Sequence, residues 1–387
     1  MSDLAPGLDI SIFEGVLAVG DASDRLAMAV QLANLVNDPA TPGVEVEQVS
    51  GVLLKLSLDP EKKVRAALAA ALCRQTRIDV AVAFAIVADD DDIALPFLTE
   101  TPVLRSAELK TILKVGDDSR QRVIAGRADI PSDVCRFIIK SGAVAAVMAL
   151  FENPAVAIDA ADCRTLYQRL GQSADVVEQL LALANLPLDI RIAQARRAAT
   201  RMRQMMAEKA WLPANDASQL CTEAEDNAVM QVLVEASARE RADAVAYMAS
   251  KNMLTPALII RAAATGRTDV VEAALAHLAG VSQQRSAEMM YASSGMGLRS
   301  LFRKSGLPPA CQGLLRAACD VMIDVREEGI GISSGEFGGR LLEALMTRYV
   351  AMPAQERSKA IELLGRYGEV KIRKVAKRLR ADLVRAA

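Results

Sequence analysis

The chain predicts an all-α protein: an α-solenoid of stacked helix pairs leading into a less regular helical C-terminal region. Three observations carry that expectation. An Asp or Asn followed about five residues later by an apolar residue recurs as Asp59…Val64, Asp89…Ile93, Asp118…Val123, Asn153…Ile158 and Asn185…Ile190, at intervals of 30, 29, 35 and 32 positions between the polar residues. That period fits two short helices and their turns, repeated along the chain. No segment shows sustained alternation of strand-forming residues, whereas apolar residues recur at spacings of three and four. Hydrophobic content is 52% with only 3% aromatic residues, so the core must be built from Ala, Leu, Val, Ile and Met, which suits closely packed helices.

The elements follow in order. Ser23 or Asp24 is placed to cap a helix whose Leu26, Val30 and Ala33 share a face. Val49, Val52, Leu53 and Leu56 mark the next helix, and Val64, Leu68 and Leu72 the one after, joined by the Leu58-Asp59-Pro60 turn. A carboxylate at Asp59 can accept from the orphan N–H groups of the incoming helix, so the recurring Asp or Asn is expected to cap helices. The run Asp89–Asp92 reads the same way, because consecutive side chains at a helix start diverge and do not form the spaced ligand set of a calcium loop. Gly116, Gly142, Gly171, Gly266, Gly280 and Gly306 follow apolar-periodic stretches, and Thr255-Pro256 sets a cap residue before a first-turn proline.

An Arg-rich helix runs from Ile190 to Lys209, and the composition changes at Trp211–Ser218. The expected regions are therefore 1–210 for the repeats, 211–328 for a helical C-terminal part, and 329–387 for a Gly-rich linker (Gly329–Gly339) and basic C-terminal helices. Nine of the 15 methionines fall between Met202 and Met296, where they read as core filler.

Leu58-Asp59-Pro60 with Val64-Arg65-Ala66-Ala67-Leu68 resembles the turn and second helix of a HEAT-like repeat. Three further stretches are similar to a bacterial helical-repeat family catalogued as domain of unknown function 2336. They are Ala88–Pro96 with Thr101-Pro102-Val103-Leu104, then Gln121–Arg127, then Leu150–Pro154. Leu254–Arg261 and Gly306-Leu307-Pro308 resemble its C-terminal part, so the likeness spans roughly residues 20 to 320. The resemblance implies a right-handed stack of HEAT-like helix pairs in a bacterial protein. It implies no reaction, and no residue inherits a catalytic role from it.

Composition narrows the function classes. His277 is the only histidine, which leaves no multi-His metal site and makes any Ser-His-Asp triad depend on it. The six cysteines show no CxxC, and free thiols among apolar residues point to a reducing cytoplasm. The N-terminus lacks the basic and apolar regions of a signal peptide, and the most apolar run, Ala143 to Phe151, is too short to span a bilayer. No catalytic residue, metal or cofactor is expected. An enzyme working through carboxylates alone is the remaining catalytic reading.

The formal charge of −2 excludes a global field attracting nucleic acid, but it conceals a tail from Glu369 onward of about +5. Candidate anion- or partner-binding residues are therefore Arg191, Arg196, Arg197, Arg201 and Arg203 on the long helix, and Lys371, Arg373, Lys374, Lys377, Arg378 and Arg380 on the tail. Arg197 and Arg201 are one turn apart and share a face able to grip a phosphate. The tail helix sets Ile372, Val375, Ala376, Leu379 and Leu383 at helical spacing, a face that either closes the fold or rests on an anionic membrane. The Gly329–Gly339 segment can present N–H groups to phosphate, although it matches no nucleotide-binding motif. The function expected is a non-enzymatic cytoplasmic scaffold or adaptor with a protein partner. Polyanion or nucleic-acid binding through the two basic segments is the alternative.

Overall fold

The structure, a computed structural model, describes residues 10–38, 40–41, 43–209, 212–292, 295–329, 333–348, 353–368 and 370–386, without the side chains of 43–46, 370 and 380–386. These residues form 23 α-helices and one short 3₁₀ helix, with no strand among them. The chain divides into two compact units, Met1–Leu186 and Pro187–Ala387.

The first unit contains α1 (Ile10–Val19), α2 (Ala22–Asn37), α3 (Gly43–Ser57), α4 (Lys62–Leu72), α5 (Val80–Val87) and α6 (Asp91–Glu100). It continues with α7 (Ser106–Val115), α8 (Asp118–Ala125), α9 (Ser132–Ser141), α10 (Val144–Glu152), α11 (Ala160–Leu170) and α12 (Ala174–Ala182). The even-numbered helices pack in succession, α2 on α4, α4 on α6, and so on to α10 on α12. Among the odd-numbered helices α3 packs on α5, α7 on α9 and α9 on α11, forming a second layer. Leu32, Leu53, Leu56, Leu68, Leu72, Ile86, Phe97, Leu98, Leu109 and Ile124 are fully buried between them. In α2 the cap is Asp21, whose carboxylate accepts from Ser23 and Asp24 N–H, with Asp24 returning to Asp21 N–H. Its buried face is Met28, Ala29, Leu32, Ala33 and Val36, while the sequence-predicted Val30 is exposed.

Asp118 lies in the first turn of α8, as an acidic residue at a helix start should, but the other four recurring residues serve a different purpose from the caps expected of them. Helices α5, α8 and α11 are capped by Asp79, Asp117 and Asp159. Asp59 instead sits three residues before the first residue of α4, accepts Glu61 N–H at 2.8 Å and receives Arg25 Nε from α2 at 2.6 Å. Asp89 accepts Arg65 Nε at 2.7 Å. Asn153 donates from Nδ2 to Ala125 O and Arg127 O at 2.9 and 2.8 Å, and Asn185 donates to Ile158 O at 3.0 Å. Each therefore latches one turn to the neighbouring helix pair. For Asn153 the reason lies in the seam: the carbonyls at the end of α8 lack intrahelical donors, and stacking buries them where water cannot serve. The acidic run is likewise absorbed by cations, Lys62 lying 3.0 and 2.9 Å from Asp90 and Asp92, and Arg120 2.9 Å from Asp91.

The second unit begins with two long helices, α13 (Leu188–Lys209) and α14 (Ala214–Glu235), followed by α15 (Ala238–Ser250), α16 (Pro256–Ala264) and α17 (Thr268–Ala279). Then come α18 (Gln283–Met290), α19 (Met296–Ser305), the 3₁₀ turn Pro309–Cys311, α20 (Gln312–Glu328), α21 (Ser334–Thr347), α22 (Ala354–Tyr367) and α23 (Val370–Ala386). Because α13 packs along α14 and α15, it belongs to this unit, whereas the sequence reading put it at the end of the repeats. Ile259, Ala262, Leu275, Leu314, Leu315, Leu341, Ile361 and Leu364 form its core. Met230, Met248 and Met290 are buried there, but Met202, Met205 and Met296 are exposed. The Gly-rich segment is a helix from Ser334 onward, with residues 330–332 outside the described ones. Gly329 ends α20 in the left-handed conformation, and Gly338 serves packing, since a Cβ there would come within 3.0 Å of Ile372 on α23.

Candidate functional site

The acidic residues of α14 organise the second unit. Glu223, Glu225 and Asp226 lie mid-helix, and three helices deliver arginines to them. Arg373 on α23 pairs with Glu223 at 2.9 Å, and Arg261 on α16 with Asp226 at 3.1 Å. On α13, Arg196 and Arg203 each stand 3.9 Å from Glu225. Burial pushes the Asp226 carboxyl above its ordinary value despite Arg261, and it does the same to Glu225 against the weaker attraction of its two arginines. For Glu223 the burial effect is outweighed by hydrogen bonds from Arg373 and Gln219, and its carboxyl lies below the usual range.

Three of the sequence candidates, Arg196, Arg203 and Arg373, thus face internal carboxylates. Glu223 and Glu225 are two positions apart, so they point to different sides of α14. The α13 and α23 arginines therefore engage α14 from different sides and do not line one groove. Arg191 and Arg197 are half-buried, and Arg201, Lys371, Lys374, Lys377 and Arg378 are exposed; the Arg380 side chain lies outside the described ones. The tail helix packs on α21 and α22, burying Ala376 and half-burying Ile372 and Leu379, while Val375 stays exposed. Sequence reading missed the α14 carboxylates. Their signal was present, since Glu223-Ala224-Glu225-Asp226 is mid-helix and has no cap to serve.

Beside this pairing lies an open cleft of about 800 Å³. Its α14 wall is Asn227, Met230, Gln231 and Val234, and α16 and the following turn contribute Arg261, Thr265 and Arg267. Ser333 to Glu336 close it at the start of α21, and Tyr367, Lys371, Ile372 and Arg373 form the remaining side. Arg261 is only 3% exposed, and its guanidinium lies 5.7 Å from the Tyr367 ring. The turn after α16 reaches this position through Gly266, at φ +75°, where a Cβ would meet the Phe337 ring at 2.8 Å. Ser333 caps α21, its N–H donating to Glu336 at 2.8 Å, and that backbone hydrogen bond holds the Glu336 carboxyl below its usual value. The cleft joins the N-terminal end of the basic tail to the serine- and glycine-rich start of α21, a juxtaposition invisible in the sequence.

A second pairing of titratable groups lies at Glu272. Tyr291 Oη donates to the buried Glu272 at 2.6 Å, Arg326 approaches the same carboxylate at 3.3 Å, and its guanidinium lies 4.3 Å from the Tyr291 ring. Burial and the bond to Glu272 drive the Tyr291 hydroxyl far above its ordinary value. Burial pushes the Cys319 thiol up to about 12, which keeps it neutral. His277 is exposed on α17. Among the described residues, no cluster of three or more His, Cys, Asp or Glu is placed to hold a metal, and no helix is long and apolar enough to cross a membrane.

No curated protein and no solved structure matches the chain. Residues 93–354 match the model of a family described as "uncharacterised protein conserved in bacteria", a span running from within α6 to the first residue of α22. The match takes in α14, the turn after α16 and the start of α21, and it covers well over half of the sequence. The chain therefore belongs to this bacterial family, domain of unknown function 2336.

Proposed function

We propose that the protein is a non-enzymatic scaffold or adaptor of the bacterial cytoplasm, in which Met1–Leu186 stacks as a HEAT-like solenoid and offers its surface to a protein partner. One observation carries this reading. The most regular polar residues of the stack, Asp59, Asp89, Asn153 and Asn185, are bound to neighbouring turns, so they act as scaffold rather than as a reactive centre. Stacked helix pairs held by such latches offer an extended surface suited to protein recognition. The step from stack to partner is an analogy with repeat proteins as a class.

The test is affinity capture of the full chain from its native bacterium, beside a chain ended after Gly368, with cross-linking to locate the contacts. The reading expects the same partner with both chains and cross-links concentrated on α2–α12. Loss of the partner with the shortened chain, or cross-links confined to the second unit, would remove the stack as the docking surface. A second reading, polyanion binding, draws on the exposure of Arg201, Lys371, Lys374, Lys377 and Arg378. A salt titration of DNA binding tests it, because phosphate contacts weaken steeply with salt; a flat profile counts against it.

A further inference from the structure

We propose that the cleft walled by α14, the turn after α16, α21 and α23 binds a phosphomonoester of mononucleotide size. The inference goes beyond the adaptor reading and stands or falls separately from it. The cleft's volume of about 800 Å³ lies within the range of small-molecule sites, roughly 300–1,000 Å³. Among the described residues four cations line it: Arg261, Arg267, Lys371 and Arg373. Two of these are spoken for, since Arg261 and Arg373 are held by Asp226 and Glu223. Arg267 and Lys371 are exposed, and neither side chain has an ion-pair partner among the described residues. They reach the cleft from different elements, which suits a dianionic group gripped between them.

The start of α21 adds donors on the same side. Ser333 N–H is committed to Glu336, but the backbone N–H groups of Ser334 and Gly335 have no acceptor among the described residues. A helix of 14 residues directs its positive end there. Among the described lining residues Glu336 is the one acidic side chain, and it is turned onto the cap, accepting from Ser333 N–H at 2.8 Å and Ser333 Oγ at 2.9 Å. A bare phosphate would leave most of the space empty. Met230, Val234, Ile372 and the Tyr367 ring give an apolar wall for a flat organic body attached to the phosphate.

The experiment is calorimetric titration of the full chain at constant ionic strength with AMP, GMP, CMP, UMP, inorganic phosphate and the matching unphosphorylated nucleosides. At least one nucleotide is expected to bind, with its nucleoside ten-fold or more weaker. The double variant Arg267→Ala/Lys371→Ala should weaken that nucleotide 10- to 100-fold while thermal melting stays unchanged. Lys304→Ala, exposed on α19 and outside the cleft lining, should bind as the parent does. Ser334→Pro removes one N–H at a position where helices tolerate proline, and should cost three- to ten-fold. The proposal is overturned if no nucleotide binds up to millimolar concentration, if nucleotide and nucleoside bind equally, or if the double variant binds like the parent. Binding of a Glu-rich peptide with none of the nucleotides would also overturn it.

Discussion

Replacing Arg127 with Met tests the latch principle most directly. Arg127 is 2% exposed and donates to Leu98 O at 2.5 Å and Thr101 O at 2.7 Å, the carbonyls at the end of α6. Methionine keeps much of the aliphatic stem but removes both donors. Each buried carbonyl left without a partner costs about 1–3 kcal/mol. Part of that is offset, because the guanidinium no longer has to be desolvated and its counter-ion Asp129 is 65% exposed. The net loss should be about 3 kcal/mol, or roughly 6–12 °C in Tm for a unit of this size. Arg127→Lys, a point donor without the planar fork, should lose about half as much. The measurement is urea denaturation of the full chain, with hydrogen exchange on peptides from α6 and α8, since two compact units need not unfold together. A change within about 0.5 kcal/mol would refute the reasoning and assign the seam to apolar packing alone.

Three further outcomes follow from the same geometry. Asn153 is 7% exposed, and Asn153→Asp should destabilise by about 2–3 kcal/mol, because a carboxylate cannot donate to Ala125 O and Arg127 O; retained exchange protection in α8 and α10 would contradict this. Gly266→Ala should cost about 2–4 kcal/mol, combining the left-handed backbone with a clash against Phe337, and an unchanged melting curve would show that α21 yields freely. Burial alone would raise the Asp59 and Asp89 carboxyls, but hydrogen bonds from Arg25 and Arg65 outweigh it and leave both below their ordinary values. Such groups stabilise the fold above the unfolded value of about 3.9 and lose that contribution as pH falls through their lower folded values. Asp89→Asn should therefore weaken the first unit at neutral pH and flatten its acid loss below about pH 4, as followed by pepsin cleavage sites. Unaltered acid sensitivity would mean that other carboxylates carry it.

Much of the chain was legible residue by residue because helix formation is local. Spacings of three and four marked the buried faces at Val49, Val52, Leu53 and Leu56, and at Val64, Leu68 and Leu72. Thr255-Pro256 announced the start of α16. The sequence was least informative where a residue's partner is distant in the chain. Asp59 resembles a cap, yet its strongest bond goes to Arg25, 34 positions away. The arginines of α13 resemble an anion face, yet Arg196 and Arg203 stand beside Glu225 on the next helix. The Gly329–Gly339 segment resembles a linker, yet Gly338 is where α21 and α23 approach closely.

By itself, then, the sequence determined the all-α class, most helix positions, the apolar faces and the period of the repeat, since all of these follow from backbone hydrogen bonding and side-chain spacing within a few turns. Only the tertiary structure decided which charges are spent and which are free. An arginine reads the same in sequence whether it meets a carboxylate, a buried carbonyl or solvent. Its role depends on Coulombic and hydrogen-bond distances of a few ångströms, and those arise only when helices far apart in the chain pack together. That packing turned Arg373 inward to Glu223, left Lys371 exposed two residues earlier, and brought Arg267 to the same cleft.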